Sequence, residues 1–262
     1  MVIIPNSKYK AAVSLMNDGK YEEAITAFEA LNGYKDSENQ IESCYIGKYG
    51  EEKWNKIKNI KIGDTYTFGA YEQDNNTSNG KEAIEWTVLD KDGMSLLLIS
   101  KQALDCQQYN TSYTDVTWES CSLRKWMNGT FLNKAFNAEE QAQIQNTTVS
   151  ADKNPEYNTN PGNATTDKVF LLSINEVEKY FNSDEARKCA PTAYAKAQGA
   201  YTSDSYKTAS GAATCWWWLR SPGHNQRSAA NVTCDGSVYY YGDYVYVDHG
   251  AVRPALWINL DS

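Results

Sequence analysis

The chain has 262 residues and a formal net charge of −8, and aromatic residues make up 13% of it. That length holds one large domain or a large one with a small appendage, and the aromatic content is that of an ordered core rather than of a disordered tail. The acidic balance offers no basic stripe to displace counterions, so neither nucleic acid nor an anionic membrane is expected as a partner.

No run approaches the roughly 18 consecutive apolar residues of a membrane span; the longest, Leu96-Leu97-Leu98-Ile99, is strand-sized. The opening Met-Val-Ile-Ile-Pro-Asn has neither the basic nor the long apolar region of a secretory leader. This leaves a cytoplasmic protein, or one exported by a signal outside this chain, with a cell surface or a phage particle as destinations. Cys44, Cys106, Cys121, Cys189, Cys215 and Cys234 include no CxxC pair, which argues against a zinc ribbon and against a dense disulfide framework.

In chain order, Ala12, Leu15 and Met16, then Tyr21, Ala24, Ile25, Phe28 and Leu31, repeat at helical spacing on either side of Asn17-Asp18-Gly19. This spacing predicts a helical hairpin. Gly33 is expected to end the second helix, and Asp36 or Ser37 to cap a third that carries Ile41, Cys44, Tyr45, Tyr49, Trp54 and Ile57. The run Gly-x-Tyr-Glu-Glu-Ala-Ile…Phe resembles a tetratricopeptide repeat. One repeat cannot bury both of its faces, so residues 1–58 are expected to act as a cap, a spacer or an element docking a partner or the C-terminal domain.

From Ile62 the period becomes alternating: Tyr66 and Phe68, then Ile84, Trp86 and Val88, then Met94, Leu96 and Leu98, with a turn at Asp90-Lys91-Asp92-Gly93. Residues 74–80 read as a polar loop. Leu123, Trp126, Met127, Phe131, Leu132 and Phe136 read as a helix with Gly129 as its soft spot. Residues 146–167 read as a long loop, Val169 to Leu172 as a strand, and Ser173 as the cap of a helix with Glu176 three residues on. A second loop is expected over residues 190–213. Strands followed by helices make residues 59–262 an α+β domain.

The most informative stretch is Cys215-Trp216-Trp217-Trp218-Leu219-Arg220-Ser221-Pro222-Gly223, answered by Val252-Arg253-Pro254-Ala255-Leu256-Trp257-Ile258. Three adjacent tryptophans require a strand buried on both faces, or one indole serving as a surface platform. Arg220 and Arg253 are expected to pair with buried carboxylates or carbonyls. Between these anchors a skeleton of Ala, Val and Gly alternates with polar and aromatic positions. His224, Asn225, Arg227 and Ser228 come first, followed by Thr233, Cys234, Asp235 and Ser237. Tyr239, Tyr240, Tyr241, Asp243, Tyr244, Tyr246, Asp248 and His249 complete the set of expected ligand-binding residues. Five of the 19 tyrosines fall within residues 239–246, more than burial alone asks for. Tyr, Ser, Asn and Gly together are the composition of antibody-type paratopes, since Tyr offers a large amphipathic surface for two torsions. The competing reading is an ordinary Tyr-rich strand pair.

Trp-Trp-Trp-Leu-Arg-Ser-Pro-Gly, then Ala-Ala-Asn-Val…Asp-Gly-Ser-Val…Gly and the closing Val-Arg-Pro-Ala-Leu-Trp-Ile resemble a bacterial domain family of unknown function with a C-type lectin-like fold. Domains of this kind occur as variable proteins of diversity-generating retroelements, of which the phage major tropism determinant is one. The resemblance covers residues 216–258 closely and extends by element order, with Leu123-Arg124-Lys125-Trp126, to about residue 62. It implies a receptor-like protein that displays a variable surface to a protein or glycan ligand. In such systems template adenines are copied with errors, so an Asn codon becomes Tyr, Asp, His, Ser, Thr, Arg or Cys. The gap residues fit that set, and Gln226 departs from it.

The same fold houses formylglycine-generating enzymes, which use paired cysteines with copper, but Cys215 and Cys234 lie 19 positions apart with no active-site motif. No nucleophile elbow positions a serine, and the two histidines lack the spacing of metal ligands. Asp74-Asn75-Asn76 lacks the spacing of a calcium loop. The expectation is therefore a binding protein with no catalytic residue, metal or cofactor, the alternatives being a formylglycine-generating-type oxidase and a structural module.

Overall fold

The computed structural model describes residues 4–261; Met1, Val2 and Ile3 of the leader reading lie outside them. The chain divides after Ile60 into two compact units.

In the first unit, α1 (Ile4–Asn17) and α2 (Tyr21–Glu29) form the expected hairpin. Gly19 takes φ +75°, and the amides of Gly19 and Lys20 reach back to the carbonyls of Met16 and Leu15, the left-handed stop that glycine permits. Ala12, Ala24, Ile25 and Phe28 meet Cys44 of α3 (Ser37–Tyr49) in the core. The second helix ends at Glu29, before Gly33. The third breaks at Gly50, and Trp54 and Ile57 belong to a separate α4 (Glu51–Lys58), where Trp54 stacks on Tyr45 at 4.3 Å. Asp36 stands at the start of α3 without capping it. Its carboxylate accepts from the Tyr9 hydroxyl and from Gln40 Nε2 instead.

The second unit mixes helix and sheet, an α+β arrangement. It opens with the meander β1 (Thr65–Tyr71), β2 (Glu82–Asp92) and β3 (Ser95–Ser100), followed by the short β4 (Asp105–Cys106). The expected helix over residues 123–136 is broken: α5 (Ser122–Trp126) passes through a π-helical turn at Met127–Phe131 into α6 (Leu132–Ala135). The break includes Gly129, and the turn keeps both Met127 and Phe131 buried. Next come α7 (Ala138–Gln143), β5 (Thr147–Val149) and β6 (Thr165–Asp167); the last two pair, so the expected loop is closed at both ends. The helix expected at Ser173 is α8 (Ile174–Tyr180), with Ser173 and Glu176 forming a reciprocal cap.

Residues 169–172 do not form the expected strand. Only Phe170 makes a bridge, to Ala255. Asn128 takes the amides of Lys168 and Val169 and the carbonyl of Val169, and Arg220 takes the carbonyl of Leu171. Side chains from distant elements thus occupy the groups a neighbouring strand would use. The expected loop at 190–213 also holds structure. After α9 (Asp184–Arg187) come α10 (Ala193–Ala197) and β7 (Thr202–Lys207), which pairs with β8 (Ala213–Cys215).

The chain closes with β9 (Trp217–Pro222), β10 (Ser228–Val232), β11 (Val238–Tyr244), β12 (Ala251–Val252) and β13 (Ala255–Asn259). One sheet has the order β1-β2-β3-β13, the other β11-β10-β9-β12-β4. Every residue of β9 is buried, and so is Trp216 before it, which decides between the two alternatives for the Trp run in favour of burial on both faces. The Trp217 indole donates to the Arg187 carbonyl and that of Trp218 to the Gln107 carbonyl.

Arg220 is 3% exposed. Its guanidinium donates to both carboxylate oxygens of Glu176, to the Ser150 carbonyl and hydroxyl, and to the Leu171 carbonyl. Arg253 lies between the rings of Phe181 and Trp217, at 5.4 and 5.0 Å, and donates to the carbonyls of Ser100 and Arg187. No helix among the described residues is long and apolar enough to cross a membrane. Arg220→Ala should lower unfolding free energy by at least about 3 kcal/mol, because Glu176 and three backbone or hydroxyl acceptors lose their partner; urea denaturation monitored by Trp fluorescence checks this.

Candidate ligand-binding surface

The floor of the surface is β10, whose Ser228, Ala229, Ala230, Asn231 and Val232 are all buried. Its pairing with β11 jumps from Ala229↔Asp243 to Asn231↔Tyr239, so Ala230 faces the extra residues of a bulge. Gly242 enters that bulge at φ +74°, where a Cβ would collide with the Ala229 carbonyl. The freed carbonyls are taken up elsewhere: that of Tyr241 accepts from the His224 amide, and that of Tyr240 from Asn154.

This backbone leaves tyrosine rings in solvent. Tyr239, Tyr241, Tyr244 and Tyr246 are each more than two-fifths exposed. His224 stacks on Tyr241 with ring centroids 3.6 Å apart, and Tyr157 meets both rings edge-on. Tyr244 and Tyr246 both meet Tyr113, at 5.3 and 5.1 Å. The Arg227 guanidinium lies over the Tyr113 ring and pairs with Asp115 at 2.8 Å. Electrostatic interaction with the neighbouring Tyr113 and desolvation push the Tyr244 phenol up.

Other expected contact residues hold the frame. Ser228 is 3% exposed, and its hydroxyl sits between the Asn225 backbone and His224 Nδ1. It lies under the surface rather than on it. Asn225 accepts from the Arg227 amide. Asp235 accepts from Thr233 Oγ1 and from the amide and hydroxyl of Ser237, which hold its carboxyl below the usual range and close the β10–β11 turn. Tyr240 points away from its neighbours, and its hydroxyl bonds Glu178 of α8. That hydrogen bond, with burial, pushes the Tyr240 phenol up to about 12.

Asp243, half-buried, accepts from Asn231 Nδ2 at 2.8 Å. It lines an open cleft of about 400 Å³ with Tyr239, Thr233, Cys234, Asp235, Ser237 and Trp216, and Tyr201, Ser203 and Tyr206 also line it. His249 and Asp248 are exposed, and the His249 ring meets Trp216 edge-on at 5.6 Å.

No motif or spacing in the sequence marks Tyr113, Asp115, Tyr157, Tyr201 or Tyr206. They come from loops and an edge strand far from residues 224–249. Their one local signal is composition, as in Asn110-Thr111-Ser112-Tyr113-Thr114-Asp115. The structure also sets Cys189 beside Cys215, both fully buried, with the Cys215 amide on the Cys189 carbonyl. Burial raises both thiols, but for Cys189 the hydrogen bond with Cys215 and the charge of Arg253 outweigh it and hold the thiol below its ordinary value.

The double substitution Tyr244→Ala/Tyr246→Ala should leave the melting temperature within about 2 °C of the parent, as expected for exposed rings; differential scanning calorimetry checks it. Tyr240 behaves otherwise. Its folded pKa of about 12 lies above the ordinary phenol value of 10.0, so its hydrogen bond contributes stability in full below pH 10, and this is lost as pH rises towards 12. The stability difference between the parent and Tyr240→Phe should therefore shrink across that window, measured by denaturant unfolding at stepped pH.

Residues 93–260 match the family described as a domain of unknown function (DUF6273), and the chain belongs to that family. No curated protein and no solved structure matches the chain.

Proposed function

We propose that this member of the family is a ligand-binding protein: a C-type lectin-like scaffold that displays a diversified, Tyr-rich surface and is the target protein of a diversity-generating retroelement. The observation that carries the reading is the contrast between neighbouring positions. Ala229, Ala230, Val232 and Val245 are buried to within 1%, whereas Tyr239, Tyr241, Tyr244 and Tyr246 between and beyond them stand in solvent. A core strand does not need those rings. A binding surface does, since Tyr gives large contact area at low entropic cost and supplies hot spots.

The strand order favours the lectin-like reading. The closing β13 returns to pair with β3 of the opening meander, so the two ends of the domain meet and the intervening chain is held as one long excursion. The surface is carried on that excursion. Tyr113, Asp115 and Tyr157 lie outside the diversified segment and act as its fixed neighbours, while Arg227, Asp248 and His249 select partners by charge. The ligand is a protein or a glycan. The helical unit, with its tetratricopeptide-like hairpin, serves as a docking element.

Sequencing the DNA that flanks the gene tests this. A partial copy of the codons for residues 216–257 that differs at template adenines, beside a reverse transcriptase gene, is the expected result. Flanking DNA with neither a copy nor a reverse transcriptase would overturn the retroelement assignment.

A further inference from the structure

The cleft beside β11 has an unusual lining. Rings of Tyr201, Tyr206, Trp216 and Tyr239 bound it together with the carboxylates of Asp235 and Asp243, and no Lys, Arg or His is among the described residues that line it. Its roughly 400 Å³ is enough for a small head group. Tyr201, Tyr206 and Tyr239 remain 54%, 42% and 41% exposed, so the rings are not used up in packing.

The charges are also unmatched. Asp235 accepts its bonds from Thr233 and Ser237 at Oδ1, and Asp243 accepts from Asn231 at Oδ2; all these donors are neutral. Among the described residues neither carboxylate forms a salt bridge with a cationic side chain. Cys234 also lines the cleft, but its thiol and the two carboxylates do not gather within 4.8 Å of one another as a metal ion would need; among the described residues Glu72, Asp74 and Glu82 do, outside this cleft. A neutral sugar would stack on the rings but leave both charges uncompensated. Ring faces carry negative potential, so three exposed tyrosine rings and two carboxylates around one concavity, with the buried Trp216 beneath them, favour a compact organic cation.

We propose that this cleft binds an organic ammonium group, either the side chain of a lysine or a quaternary ammonium, with the exposed Tyr201, Tyr206 and Tyr239 as the rings that meet it and Asp243 as the counter-charge. The proposal rests on the reading of this face as a ligand surface and deepens it by naming the chemistry of one subsite. Burial and the Asp243 charge raise the Tyr239 phenol, so its ring meets the cation in the neutral form.

The test is calorimetric titration of the full chain with choline, with Nα-acetyl-lysine methylamide and with the uncharged carbon isostere of choline. At least one cation should bind, and the isostere should bind about tenfold or more weakly, the factor expected from the lost cation–ring attraction. Asp243→Asn and Tyr206→Ala should each weaken the cation by about tenfold, the second without touching the Asn231 pairing, and Glu139→Ala on the exposed face of α7 should not. The choline and lysine arms separate a quaternary ligand from a protein side chain. Binding of the isostere as tightly as of the cations, no binding of either cation, or full binding after both Asp243→Asn and Tyr206→Ala would overturn the proposal. If the cations fail while an adenine-variable template copy is found, the cleft assignment falls alone. If they bind and no copy is found, the retroelement assignment falls alone.

Discussion

The second unit depends on the burial of one charge. Arg220 sits on β9, the middle strand of the five-stranded sheet, and a guanidinium at 3% exposure is tolerated only if its donors are met. They are met by groups from three other places: Ser150, Leu171 and Glu176. Glu176 also closes the cap of α8, and the Tyr109 hydroxyl donates to the Arg220 carbonyl. One side chain thus ties the β5 end, the segment before α8 and the helix itself to the strand on which β10 is built. Arg253 does the same on the other anchor through carbonyls and ring faces, without a carboxylate.

A floor held in this way can carry a rim that contributes little to folding. The bulge at Ala230 and the backbone contact at Gly242 set the course of β11, so the tyrosines need not pack inward to define it. The loop beyond β11 is fixed through its backbone, the Val245 carbonyl accepting from the Asn110 amide and its amide donating to Arg227. Side chains on such a frame can change while the main-chain bonds stay, the physical condition a variable surface must satisfy. The cleft is tied to the same frame, because the buried Thr214 hydroxyl reaches both the Tyr206 carbonyl on β7 and the Cys234 carbonyl of the β10–β11 turn.

The buried pair Cys189 and Cys215 illustrates how far spacing misleads. Along the chain Cys215 is nearer to Cys234, yet the isolated bridge from residue 189 brings Cys189 against it under Arg253. Nothing local in either segment encodes that meeting.

What the sequence determined by itself is whatever a short window can express. The 3.6 period and Gly19 specify the helical hairpin; the alternation of Ile84, Trp86 and Val88 specifies β2; Ser173 with Glu176 specifies the start of α8; and the Trp run narrows its strand to burial on both faces or one exposed indole, between which the tertiary structure decides. The excess of tyrosine between residues 239 and 246 marked where to look for a surface. Tertiary structure alone decided which of those tyrosines face solvent, turning Tyr240 to Glu178 and sinking Ser228. It also denied a strand to residues 169–172 and brought Tyr113, Tyr157 and Tyr206 to the site. The reason is physical. A window sees the conformational preference and facing of its own residues, whereas the partner of a peptide group or a ring is chosen among elements tens of residues away, by whichever arrangement buries and satisfies all of them at once.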